Sequence, residues 1–294
     1  MKLVTFDGGL GAIRDGKIVS LAKLGVDMLG LIEGGLLDEA RKLLPEAPVV
    51  EGARLRAPLA PRALRDFFAY EDHALAGAAR RKEPLAQEWY DQPVYYKGNP
   101  RELYGPEDTV PWPSYTRKLD FELEVAMVVG CKGRDLEPAE APAHVFGFML
   151  YNDWSARDIQ KNEMVCRMGP AKGKDFANSF GPWLVTADEV GPEPVVALSA
   201  WVNGEKWSEG STSWRYWKWA EMLSHVSQGE TVLPGDVLGS GTYHKGCGLD
   251  LDRWLQPGDR VELRSDTLGV LANVVGRPAG QKHLIYRKEH GAHR

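Results

Sequence analysis

Leu119-Asp120-Phe121-Glu122-Leu123-Glu124-Val125-Ala126-Met127-Val128-Val129-Gly130 is the stretch that decides the fold. Acidic and apolar residues alternate through its first half, and side chains at i, i+2 and i+4 of a strand share one face. Glu122 and Glu124 therefore point the same way, with backbones about 7 Å apart. An isolated Glu-x-Glu ordinarily lines the wet face of an antiparallel strand. Here the apolar continuation, Val125 to Val129, reads as a buried strand, and carboxylates at its mouth need a partner. Two acids that close repel unless a cation sits between them or one keeps its proton. A hard divalent ion, Mg²⁺ or Ca²⁺, takes oxygen ligands and fits that place.

Working outward, a third acid, Asp153, follows the apolar run Val145 to Tyr151 and precedes a helical stretch. An aspartate there ordinarily caps the helix; either Asp153 caps and ligates together, or Asn152 is the cap. The motif continues as Trp154-Ser155-Ala156-Arg157-Asp158-Ile159-Gln160-Lys161, and closes with Gly173-Lys174-Asp175-Phe176 and Gly181-Pro182-Trp183. A lysine after glycine is usually solvated. Upstream, residues 65 to about 82 are rich in Ala and Arg. If that segment is helical, Asp66 and His73 lie on nearly one face, about 10 Å apart. Taken singly, Asp66 reads as a cap and His73 as a satisfied or solvated histidine. The spacing also suits a ligand and a general base. Tyr95 and Tyr96 fall on a short strand, at the core or its rim.

Composition narrows the class. The chain has 294 residues, 43% of them hydrophobic, with ten tryptophans, which is enough for a large core. A formal charge of -5 with no Lys/Arg-rich block argues against nucleic acid as a partner. Cys131, Cys166 and Cys247 are odd in number and far apart; they match no zinc spacing or disulfide framework and suggest a reducing compartment. Neither a signal peptide nor an apolar run of about 20 residues is seen, so a soluble, cytoplasmic protein is expected, with no membrane partner.

Residues 1–57 read as a small N-terminal domain, with short strands at Leu3–Phe6, Ala12–Arg14 and Lys17–Leu21. Asp15-Gly16 is a hairpin turn, and a helix over Leu36–Leu44 is ended by Pro45. Residues 58–294 form the main domain. Strands are expected at Pro182–Val185, Val195–Val202 and Val261–Leu263, with a hairpin at Asn203-Gly204. Helical spacing covers Trp214–Val226, where His225 reads as structural. The glycines of Leu233–Thr242 imply close backbone approach. The end from Gln281 onward is polar and basic and is expected to fray. Many short strands with few helices give a β-rich α+β class.

From about Asp66 to Leu263 the chain resembles the fumarylacetoacetate hydrolase family. The resemblance rests on the ordered set Leu119-Asp-Phe-Glu-Leu-Glu124, Asn152-Asp-Trp-Ser-Ala-Arg-Asp-Ile-Gln-Lys161, Gly173-Lys174-x-Phe176, Pro182-Trp183, Pro234-Gly-Asp236 and Gly239-Ser-Gly-Thr242. It implies a mixed β-sandwich roll binding Mg²⁺, Ca²⁺ or Mn²⁺, a small N-terminal domain and a homodimer. By that resemblance Asp66, Glu122, Glu124 and Asp153 are the metal carboxylates, and His73 is the base, oriented by Asp250. Lys174 stabilises charge, while Gln160, Thr242 and Tyr96 contact a small oxo-acid substrate. The implied reaction is hydrolysis of a C–C bond in a β-diketo acid. The alternative is a 2-oxo acid decarboxylase, or an enol–keto isomerase or hydratase of aromatic catabolism. Phe68 and Met164 stand where relatives carry tyrosines, and Lys82 near an arginine. Ala76 stands where the decarboxylating and acylpyruvate-cleaving relatives carry the glutamate of a His-x-x-Glu pair, and Asp250 is one methylene shorter than the usual glutamate.

Overall fold

The computed structural model of the chain describes residues 1–278 and residue 280; the expected fraying from Gln281 lies outside them. A ten-stranded mixed sheet runs through the centre. Its order is Lys17–Ser20, Gly9–Arg14, Lys2–Phe6, Asn178–Thr186, Val145–Asp153, Leu123–Val129, Val237–Gly239, Leu64–Phe67 and Tyr95–Gly98, with Leu103–Tyr104 joined beside Asn178–Thr186. A second, five-stranded sheet is built from Glu205–Ser211, Ala197–Val202, Arg260–Ser265, Gly269–Val275 and Thr109–Val110. The class is β-rich α+β.

Alternation fixes the two faces of the central strand. Leu123, Val125, Met127 and Val129 pack into the larger core with Phe148, Trp219 and Leu263. Ala126 and Val128 face the other way, into a core shared with Met149, Tyr151 and the N-terminal residues Leu3, Leu31 and Ile32. Both faces are covered, which explains the continuous apolar run. Lys2 and Leu3 pair with Val185 and Leu184, so residues 1–57 contribute strands to the same sheet. Asp15 and Gly16 both have positive φ, 52° and 74°, as a tight hairpin between paired strands requires.

Several elements differ from expectation. The strand from Leu119 breaks at Phe121: Leu119–Asp120 pairs with Ser155–Ala156, Glu122 bridges Cys247, and the long strand starts at Leu123. Asp66 lies on a strand, Leu64–Phe67, and the helix carrying His73 spans Glu71–Arg81. Asp153 ends its strand and caps nothing; neither does Asn152, whose Oδ1 accepts the Glu122 N–H at 3.0 Å. The helix after them begins at Arg157 and has no side-chain cap. The helix expected over Trp214–Val226 starts at Trp219, leaving Trp217 outside it. His225 is partly buried against the edge of Tyr95.

Candidate active site

Three strand ends meet on the face that the N-terminal elements cover. Glu124 shares that face with Ala126 and Val128, Asp153 with Met149 and Tyr151, and Asp66 with Leu64. Between them runs Val237–Gly239, whose Gly239 is in register with both Asp66 and Ala126. A Cβ on Gly239 would lie 2.2 Å from Asp66 Oδ1 and 2.8 Å from the Tyr151 ring. The missing side chain is the space into which the acids converge. Gly241, at φ +72°, turns its N–H toward Glu124 Oε2 at 3.0 Å and Asp66 Oδ1 at 3.2 Å.

Glu122, two residues before Glu124, joins the same group. One carboxylate oxygen from each of Asp66, Glu122, Glu124 and Asp153 lies within 4.8 Å of all the others, and all four residues are buried. Lys174, only 3% exposed rather than solvated, donates to Glu122 Oε2 at 2.6 Å and to Asp153 Oδ2. Tyr96, opposite Asp66 in the sheet, gives its hydroxyl to Asp153 Oδ2 at 2.7 Å. Arg157 clamps Glu122 Oε1 at 2.7 Å and Asp120 Oδ2 at 2.8 Å.

The protonation pattern follows from this layout. Burial would raise Glu122, but the Arg157 guanidinium and the Lys174 ammonium bring it down to about 2. Burial and the neighbouring acids push Asp66 and Glu124 well above the ordinary carboxylate range. Burial also raises Asp153, against the pull of Lys174. Lys174 is raised because Asp153 and Glu122 outweigh its own burial.

The donor set fits a hard divalent cation. Every donor is a carboxylate oxygen, and Glu124 Oε1 and Asp153 Oδ1 are buried with no hydrogen-bond partner. Two cations, Lys174 and Arg157, face four carboxylates, and Arg157 is shared with Asp120 as well. Ionising all four would leave at least two negative charges unanswered, which is why Asp66 and Glu124 are pushed up here and why a divalent ion suits the group.

Beside this group lies a second. His73 Nδ1 and Asp250 Oδ2 are 2.8 Å apart; Arg80 donates to Asp250 Oδ1 at 2.6 Å and the Lys245 N–H to Oδ2 at 2.9 Å. Burial opposes the ionised form of Asp250, yet the His73, Lys245 and Arg80 contacts hold it below the usual carboxylate range. The Glu122–Cys247 bridge ties the two groups together. Phe68 stands edge-on to His73, with ring centroids 5.3 Å apart.

Gln160 Oε1 accepts from Arg157 at 3.0 Å, and buried Thr242 donates to the Leu123 carbonyl at 2.9 Å. Met164 is exposed on the same helix as Gln160. The sequence reading assigned no role to Arg157 or Arg80. Asp120, an acid set between Leu119 and Phe121 beside the Glu122/Glu124 pair, was the signal for the first. No comparable signal pointed to the second.

A family model described as fumarylacetoacetate hydrolase, C-terminal, matches residues 62–276. A mitochondrial oxaloacetate tautomerase of Homo sapiens is 34% identical over 186 residues, covering 63% of this chain and 59% of that protein. The solved fumarylacetoacetate hydrolase of Exiguobacterium antarcticum is 30% identical with a TM-score of 0.76, over 94% of this chain and 99% of that one. A probable 2-hydroxyhepta-2,4-diene-1,7-dioate isomerase of Mycobacterium abscessus, also solved, is 28% identical with a TM-score of 0.77, over 94% and 97%. The chain belongs to the fumarylacetoacetate hydrolase family. It is an enzyme of that family, whose named relatives include hydrolases, isomerases and tautomerases. Among the described residues no helix is long and apolar enough to cross a membrane.

Proposed function

We propose that the chain is a divalent-cation-dependent hydrolase that cleaves a C–C bond in a small β-diketo acid of the fumarylacetoacetate or acylpyruvate type. The observation that carries this reading is the pairing of four buried carboxylates, two with oxygens lacking partners, with an imidazole–carboxylate dyad beside them. Asp66, Glu122, Glu124 and Asp153 would hold Mg²⁺, Ca²⁺ or Mn²⁺, which when bound polarises a substrate carbonyl as a Lewis acid. His73 is held by Asp250 through Nδ1, leaving Nε2 to take a proton from water. That water oxygen bonds to the carbonyl carbon, the C–C bond breaks, and its electron pair leaves as an enolate. The proton on His73 then returns to the enolate carbon. Lys174 offers positive charge to the developing oxyanion, and Gln160, Tyr96 and Thr242 position the acid.

A second reading is keto–enol or double-bond isomerisation of the same kind of oxo acid. It needs no attacking water, and the names of relatives at 34% and 28% identity favour it. The test is a metal-supplemented screen of acylpyruvates, fumarylacetoacetate, oxaloacetate and hydroxymuconate-type dienes with product identification. Two acid products from one acylpyruvate support hydrolysis; an isomer alone, or CO₂, overturns it. The same reading expects a cytoplasmic homodimer working without nucleic acid or membrane, which light scattering and cell fractionation check.

A further inference from the structure

The chemistry above makes no use of Cys247. Its side chain is fully buried, its backbone bridges Glu122, and it directly precedes the short helix Gly248–Leu251 that carries Asp250. That turn brings a thiol and a carboxylate to the same imidazole. One donor atom each from His73, Cys247 and Asp250 lies within 4.8 Å of the other two. His244 Nδ1 is a buried atom with no hydrogen-bond partner, 3.3 Å from Asp250 Oδ2.

We propose that His73, Cys247 and Asp250, with His244 at their edge, form a second cation site for a thiophilic divalent ion of the zinc or cadmium type, and that an ion there stops turnover by occupying the imidazole. Four-coordinate zinc takes nitrogen, sulfur and oxygen donors at about 2.0–2.3 Å, so these donors are within a side-chain adjustment of a common ion. One thiolate and one carboxylate match the charge of the ion, with both imidazoles neutral. Arg80 fixes Asp250 through Oδ1, so it is Oδ2, now facing His73, that would turn to the metal. The two sites then sort ions by softness. The four carboxylates offer only oxygen and suit hard cations, while the thiol and imidazoles suit soft ones.

Only the effect on turnover rests on the proposed role of His73; the binding does not. The test uses the full chain saturated with Mg²⁺ and carrying Cys131→Ser and Cys166→Ser, which remove the two exposed thiols. Titration with Cd²⁺ is followed by the ultraviolet sulfur-to-cadmium charge-transfer band, which oxygen ligands do not produce. The expected result is a band that saturates at one equivalent, with turnover falling in step. Adding Cys247→Ser abolishes the band, and adding His244→Ala shifts saturation to higher Cd²⁺. A band that survives Cys247→Ser, or no band in the parent, overturns the site and leaves the catalytic reading of His73 untouched. A band with turnover intact overturns that catalytic reading instead. Should Cys247→Ser fail to fold, cadmium NMR of the parent decides: a shift typical of sulfur ligation supports the site, and an all-oxygen shift sinks it.

Discussion

His73 Nδ1 and Asp250 Oδ2 meet at 2.8 Å although 177 residues separate them, and Arg80, from the same helix as His73, donates to the other oxygen of Asp250. Helix and acid are locked to each other, so the imidazole has one orientation. His73→Ala is expected to lower kcat by about a hundred- to ten-thousandfold, the range for loss of a general base. Asp250→Asn should lower it less, and the double variant little more than His73→Ala alone, because the two act as a unit. Steady-state kinetics on the four proteins checks this; additive losses would argue for separate roles.

The same contact sets a pH dependence of stability. Asp250 is held below its unfolded range, about 3.9, so its contribution is present above that value and fades as pH falls through the folded pKa. Asp250→Asn should therefore cost about 1–3 kcal/mol at neutral pH. The gap between variant and parent should shrink on acidification below the unfolded value. Urea unfolding across that range reads the difference; a gap that widens in acid would contradict the assignment.

Arg157 is 7% exposed and joins Asp120 to Glu122. Removing it leaves buried Asp120 without its counter-charge and Glu122 with Lys174 alone, and breaking a buried pair typically costs about 3–5 kcal/mol. Arg157→Ala should show that loss in denaturant titration. Arg157→Lys should recover only part of it, because one ammonium cannot reproduce the forked contact.

Gly239 provides the room in which the acids meet. Gly239→Ala would set a methyl group 2.2 Å from Asp66 Oδ1. The expected outcome is at least about a tenfold loss of Mg²⁺ affinity, or about 1.4 kcal/mol. The strand Val237–Gly239 should persist, since its neighbours pair on both sides. Calorimetry with circular dichroism on the same sample reads both quantities.

How much of this was legible follows from which contacts are local. Two-residue alternation was enough to put Glu122 and Glu124 on one face, and the apolar run gave the buried central strand. The strand at Asp66 escapes a local reading because it is short. Its neighbours in the sheet are Val237–Gly239, some 170 positions away, and Tyr95–Gly98, so nothing beside it in sequence announces pairing. Asp153 looked like a cap because a helix does follow. Yet Ser155–Ala156 first pairs with Leu119–Asp120, which delays that helix to Arg157. The burial of Lys174 could not be read locally either, since its partners Glu122 and Asp153 lie 52 and 21 residues away in the chain.

The central claim is that Asp66, Glu122, Glu124 and Asp153 together hold one divalent cation, and Mg²⁺ calorimetry on the parent protein beside Glu124→Gln tests it most directly. Glu124 is the choice because its Oε1 is buried without a partner while its Oε2 stays bonded to the Gly241 N–H. The account predicts a single site in the parent and a loss of at least about tenfold in affinity in the variant. Equal affinity in both proteins would contradict it.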